Sequence, residues 1–421
     1  MDTEVRLSFN RKVSFADGHS FGDVGPYERW LGIASFALDP NDSANTNIVD
    51  LEYAPQNAKG LVEFTADLEI MKPVDLSKGN QRILYDVNNR GNKTALSSFN
   101  DAARNPDPLS LADAGNGYLM RKGYTVVISG WQGDLLPDPN LVVAELPEAL
   151  KDEKSLHGTI RQEFIANDKG VLSMPLSGHC VIRSYEPTNP EGATLTVREL
   201  EKDDRQTIDP DTWSFSTIAP DITGSMKVTP SSTHLYMRDG FKPGYIYELI
   251  YETKGSRIMG LGIVGIRDLL SFLRYDDVDA NGTPNPLAGT IEKVYTYGQS
   301  LSSRTLRQFI YDGYNADPSG RRVFDAIYPH VSGGGRLFMN IRFSQVGRYP
   351  RQHEEHQWPS EWYPFAYSAV PDPFTENLDA VLKRPDTDPL VVHTHTNTEY
   401  WQRHASLGHT DPRNGDDLDI P

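Results

Sequence analysis

Ser300 lies in the segment IEKVYTYGQSLSSRTLRQFIYDGYN, residues 291–315. An apolar run, Val294 to Tyr297, meets Gly298-Gln299-Ser300. A helical pattern follows at once, with Leu301, Leu306, Phe309, Ile310 and Tyr314 on one face. Strand, G-x-S, helix is the layout of a nucleophile elbow, in which a serine on a sharp turn has its hydroxyl pushed clear of a sheet. Gly298 leaves room for the close approach of strand and helix. The helix N-terminus behind Ser300 favours negative charge, which acyl transfer generates. The fifth position of the pattern is ordinarily glycine and here is Ser302.

Context separates this serine from chance matches. G-x-S alone is common, and its bland reading is a buried serine at an ordinary turn. Gly18-His19-Ser20-Phe21-Gly22 matches the full G-x-S-x-G string, yet polar residues precede it and Gly25-Pro26 follow where a helix would begin. It reads as a glycine-rich turn.

A second chemistry is a metal site. His393-Thr394-His395 followed by Glu399 reads H-x-H-x3-E. On a strand His393 and His395 would share a face, and two His with one carboxylate can bind a divalent metal. The spacing resembles part of a cupin motif, but Thr387 stands where that motif has glycine, and no second half is present. Asp277, Asp279, Asn281 and Gly282 imitate the start of a calcium loop whose twelfth position is Ala288 rather than Glu. His353 and His356 flank two Glu in a proline-bounded loop and read as solvated. No cofactor is expected.

The positioning elements come from the chain as a whole. Its 421 residues suffice for one large core with insertions or for two domains. A net charge of −17 argues against nucleic acid and against an anionic membrane surface as partners. No apolar stretch approaches a membrane span. The N-terminus, MDTEVRLSFN, lacks the layout of a signal peptide, so a cytoplasmic location is the default expectation. Cys180 is the only cysteine, which excludes an internal disulfide. The sequence leaves the oligomeric state open.

Strand-like runs occupy an N-terminal β-rich segment, residues 1–75, expected to pack on the core. Residues 76–154 form the first part of an α/β core: Leu61 to Ile70 alternates ahead of it, Arg82 to Val87 and Tyr124 to Ile128 read as buried strands, and Leu109 to Arg121 as a short helix. Residues 155–255 read as an antiparallel β insertion built from HCVIRSY, ATLTVREL, STHLYMRDG and YIYELIYET. Residues 256–421 resume the core with a helix over Ile258 to Tyr275, the elbow, a glycine-rich stretch with His330 and Ser332 to Gly335, and a last strand at Leu390 to His393. Trp358, Trp362, Tyr363, Phe365 and Tyr367 lie in a proline-rich loop that either roofs a pocket or covers the core edge. The expected fold class is α/β with a mostly parallel central sheet.

At this point the chain resembles the α/β-hydrolase superfamily, and within it a poorly characterised group known only as α/β-hydrolase domain proteins. The matching segments are Gly22 to Glu28, Asn89 to Lys93, Gly298 to Asn315, Tyr328 to Phe343 and Asn397 to Trp401. The resemblance implies an α/β-hydrolase fold and a serine hydrolase acting on small carboxylic esters through an acyl-enzyme. Its chain order of Ser, acid, His gives Ser300 as nucleophile and Glu399 as acid, with Asp372, Asp386 and Asp388 as weaker rivals. Glu399 also reads as a surface residue at a helix start. The oxyanion donors implied are the N–H of Leu301 and an N–H of the Asn89-Arg90-Gly91 loop, taken as Arg90. The Arg90 side chain could hold a substrate carboxylate or brace its loop, and bracing is favoured. The superfamily places its histidine after one further strand, and only Gln402 to Pro421 follow Trp401. The chain is therefore expected to be a C-terminally truncated piece, inactive or nearly so, unless His404 or His409 substitutes. A non-catalytic binding module on the same fold is the further alternative.

Overall fold

The computed structural model describes residues 3–178, 181–220, 222, 224–348 and 362–419. His179, Cys180, His353, His356 and Trp358 fall outside them. Three strands open the chain: β1 (Glu4–Ser14), β2 (Tyr27–Leu38) and β3 (Val62–Pro73). Next come β4 (Arg82–Val87), the short helices α1 (Ala95–Phe99) and α2 (Tyr118–Arg121), and β5 (Thr125–Ser129). The helix expected over Leu109 to Arg121 is split, because Gly115 and Gly117 both take positive φ between a 3-10 turn at Leu111–Ala114 and α2. Strands β6 (His157–Ile165), β7 (Thr194–Arg198) and β8 (Ile246–Lys254) belong to the insertion. The core then resumes with α3 (Gly260–Tyr275), β9 (Lys293–Gln299), α4 (Leu301–Tyr311), β10 (Ala326–His330), β11 (Leu390–Val391) and α5 (Asn397–Gln402).

The main sheet runs in the order β1-β2-β3-β5-β4-β9-β10-β11. Pairings from β1 to β5 are antiparallel, and those joining β5, β4, β9, β10 and β11 are all parallel. The sheet is thus mixed: five neighbouring parallel strands carry an antiparallel extension. Residues before 75 extend this sheet edge to edge through β1–β3. The parallel strands read as continuous apolar runs because both their faces are covered near the centre. On one face Ile83, Tyr85, Val127, Val294 and Ile327 pack with α3 and α4. On the other, Leu84, Val126, Ile128 and Tyr297 pack with Leu119 and Met120.

The insertion has its own core. β7 and β6 flank β8 in antiparallel register, and Phe164, Leu195, Trp213, Leu235, Leu249 and Tyr251 fill the interior. HCVIRSY, expected as a strand, is irregular over its described part; Ile182 makes only a single bridge to Leu135. The decoy at Ser20 lies between two 3-10 turns, as a glycine-rich turn should. The calcium-like stretch is a polar turn in which Asp279 Oδ1 accepts the N–H groups of Asn281 and Thr283. No helix among the described residues is long and apolar enough to cross a membrane.

Helix α3 lies deep against the sheet because it has no side chain where the approach is closest. A Cβ at Gly262 would sit 1.8 Å from the Trp131 carbonyl oxygen. The backbone contact cannot yield as a flexible side chain would. Gly262→Ala is expected to cost about 1–3 kcal/mol by overpacking. Urea denaturation followed by circular dichroism checks this, and an unchanged midpoint would contradict the close contact.

Candidate active site

Strand β9 stops at Gln299 because the next residue turns out of the sheet. Ser300 has φ 57° and ψ −113°, and α4 starts with the residue after it. A β-carbon makes such a conformation costly for any residue but glycine. Three contacts hold it. The Ser300 N–H donates to the His330 carbonyl at 2.8 Å, continuing the β9–β10 pairing by one bond. The Ser300 carbonyl accepts from the N–H of Ser303 and of Arg304 and from the Ser303 hydroxyl, at 3.1, 3.2 and 2.6 Å. Gly298 allows the helix to fold back: a Cβ there would meet the Ser302 carbonyl oxygen at 2.7 Å. Ser300 itself is exposed. An exposed serine at the N-terminus of an 11-residue helix suits a nucleophile whose attack puts negative charge on the carbonyl oxygen of the group attacked.

The loop after β4 stands beside this turn. Asn89 Nδ2 donates to the Gln299 carbonyl at 2.9 Å, and the Ser302 hydroxyl donates to the Asn88 carbonyl at 3.1 Å. Within the loop the Asn89 and Asn92 peptides exchange hydrogen bonds at 2.9 and 3.0 Å. The Asn89 carbonyl is therefore turned inward. In a trans peptide the following N–H, that of Arg90, points the opposite way. The Arg90 side chain braces the loop: Nη1 donates to Asn89 Oδ1 at 3.3 Å and Nη2 to the Gly347 carbonyl at 3.1 Å. Asp134 takes the N–H of Gly347 at 3.0 Å, so the two side chains grip one residue from both of its peptide groups.

Leu301 occupies the first position of α4, where a backbone N–H has no acceptor within the helix. Its side chain is fully buried. So is nearly every residue of α4, including Arg304 and Arg307. These arginines donate to main-chain carbonyls of the glycine-rich stretch: Arg304 Nε to Ser332 at 2.8 Å, Arg307 Nη2 to Gly334 at 2.8 Å and Nε to Gly335 at 3.2 Å. Arg307 Nη2 also reaches the Phe365 carbonyl at 2.6 Å, and its guanidinium lies over the ring of Tyr367. Of the aromatic loop, Tyr367 is buried against the core, and Trp362 is half exposed and stacks on Phe338. These two cover the core edge.

Glu399 lies at the start of α5 in a capping box, accepting from the N–H and the hydroxyl of Thr396. Both bonds fall on Oε2. Among the rivals, Asp372 Oδ1 accepts the N–H of Phe374, and Asp388 Oδ2 accepts the N–H of Arg384, within their own turns. His404 packs on Phe365, and His409 joins Tyr400 OH at 2.9 Å and Asp417 at 3.3 Å.

The proposed metal set is not assembled. His393 has both ring nitrogens committed, Nε2 with the Ser332 hydroxyl at 2.6 Å and Nδ1 with Tyr367 OH at 2.9 Å. Among the described residues no group of three or more His, Cys, Asp or Glu side chains is placed to hold a metal ion. Burial first, and then the nearby Arg307, pushes His393 well below the usual imidazole range. Burial and Arg307 likewise lower His395 to about 4, against a smaller opposing pull from Glu399; His330 and His409 add to the lowering.

Sequence reasoning did not find His330 as the acceptor for the Ser300 N–H, nor Asn88 and Asn89 as anchors of the turn. The His330 side chain bonds Thr394 Oγ1 at 2.8 Å and stacks on Tyr297. The signal available was the pair of polar residues directly after an apolar strand, Asn88-Asn89, where side-chain amides brace loops.

A family model described as an alpha/beta hydrolase domain matches residues 261–417, from α3 through the elbow to the segment beyond α5. The match supports an α/β-hydrolase superfamily member, and with it a hydrolase-type enzyme in general. No curated protein and no solved structure matches the chain.

Two outcomes follow from the geometry. Ser300→Gly relieves the left-handed turn and is expected to stabilise the fold by about 1–3 kcal/mol relative to Ser300→Ala; thermal unfolding of the two variants checks it. His395, with its folded pKa depressed, binds its proton more readily when unfolded. Its contribution to stability is therefore present above pH 6.5 and is lost as pH falls from 6.5 toward about 4. His395→Gln should flatten the fall of Tm over that window, measured against the unsubstituted chain.

Proposed function

We propose that the protein is a serine hydrolase that cleaves small carboxylic esters through an acyl-enzyme. The observation that carries this reading is the exposed Ser300 at φ 57° and ψ −113°, between a parallel strand and a helix N-terminus. An ordinary buried serine would have no use for so costly a turn.

Ser300 Oγ attacks the ester carbonyl while a histidine removes its proton. Glu399 is the acid that orients that histidine and stabilises its cation. Its capping bonds use Oε2, which leaves Oε1 for an imidazole N–H. The tetrahedral oxyanion takes hydrogen bonds from the N–H of Leu301 and the N–H of Arg90, and loss of one such donor typically costs about 3 kcal/mol of barrier. The Arg90 guanidinium braces its loop and does not bind substrate. The histidine base is not assigned to His393, whose two nitrogens are already occupied.

A fluorophosphonate probe tests the reading on the full-length natural protein. Labelling at Ser300, abolished by Ser300→Ala together with hydrolysis of short acyl esters, is the expected result. Neither labelling nor turnover would overturn it in favour of a binding module on a hydrolase scaffold.

A further inference from the structure

We infer that Ser302 and Asn88 are positioning residues that set the spacing of the two oxyanion donors; the inference rests on the reading of Ser300 as nucleophile. The donors come from separate parts of the chain, Leu301 from the start of α4 and Arg90 from the loop after β4. A pair of N–H groups grips one oxygen only if their separation is fixed before the charge develops. The Ser302 hydroxyl supplies that fixture. It donates to the Asn88 carbonyl at 3.1 Å, across 214 residues of sequence, and both residues are fully buried.

One end of the tie is the residue next to Leu301. The other end is two residues before Arg90 and is itself anchored. The Asn88 side chain donates to the Ser129 carbonyl at 2.8 Å and accepts the Gly91 N–H at 3.1 Å. Its carbonyl also accepts from Trp131 Nε1 at 2.9 Å, using its second lone pair. Asn88 thus links the ends of β4 and β5 to the helix behind the nucleophile. Asn89 adds a parallel bond to the Gln299 carbonyl. The departure from glycine at the fifth position of the elbow pattern acquires a physical reason: glycine would leave the Asn88 carbonyl without this donor. The hydroxyl touches neither substrate nor the reacting atoms.

Ser302→Ala and Ser302→Gly in the full-length natural protein test the tie. The cavity either variant leaves is small, and Tm is measured in parallel to establish folding. A donor displaced by a fraction of an ångström is expected to lower kcat about tenfold with KM within about twofold. Affinity for a trifluoromethyl ketone, to which the Ser300 oxygen adds as the ketone oxygen becomes the oxyanion, should fall by the same factor as kcat. A purely structural residue would lower Tm without moving the ratio of kcat to KM. Wild-type kcat and ketone affinity in both variants would overturn the inference, as would a loss confined to Tm. Undiminished hydrolysis by Ser300→Ala would instead overturn the reading of the nucleophile, so the two failures are distinguishable.

Discussion

One turn of backbone carries the candidate site. Ser300 must leave the sheet in a left-handed conformation that costs about 1–3 kcal/mol. The surroundings offset that cost locally: the N–H is received by His330, the carbonyl by the first turn of α4, and the space by Gly298. Because each partner belongs to a different element, the turn records the relative placement of β9, β10 and α4. A shift in any one of them would release the strain and let the serine fall back toward the sheet. The parallel register that pairs Gln299 with His330 is therefore as much a part of the site as the hydroxyl.

A second layer of order comes from buried arginines that meet main-chain carbonyls. Arg304 and Arg307 are buried in α4 and spend donors on carbonyls of the Ser332–Gly335 stretch. Glycines suit that stretch because its backbone passes close to the main chain of residues 403 and 404. A Cβ at Gly334 would lie 2.4 Å from the His404 carbonyl oxygen. Burial first, and the charge of Arg307 second, favour the neutral form of the neighbouring His393, which suits its bonds to Ser332 and Tyr367.

Much of the scaffold was legible in sequence because hydrophobic period reports burial. Arg82–Val87 was readable to the residue, and Thr125–Ser129 and Gly260–Tyr275 to within a residue or two. The elbow was legible because strand, glycine and helix adjoin. Contacts between distant residues were not. Nothing local in SLSSRTLRQF distinguishes a solvated polar face from one sunk under a glycine-rich loop, so the burial of Arg304 and Arg307 went unseen. Periodicity likewise says nothing of a hydroxyl at 302 meeting a carbonyl at 88. The spacing of His393 and His395 suggested ligands on one face, but the strand ends at Val391, and the tertiary neighbours Ser332 and Tyr367 claim the first imidazole.

The residues near 343–348 lie between the insertion and the core. Phe343 enters the interior formed by β6–β8, Arg348 donates to the carbonyls of Leu176 and Glu163, and Gly347 is gripped by Asp134 and Arg90. This puts a late plug in an early compartment. During vectorial synthesis the strands of residues 157–254 emerge well before the ring that completes their interior. They must wait, incompletely packed, until nearly another hundred residues have left the ribosome. Final packing of that lobe waits on a segment that follows β10 in the chain.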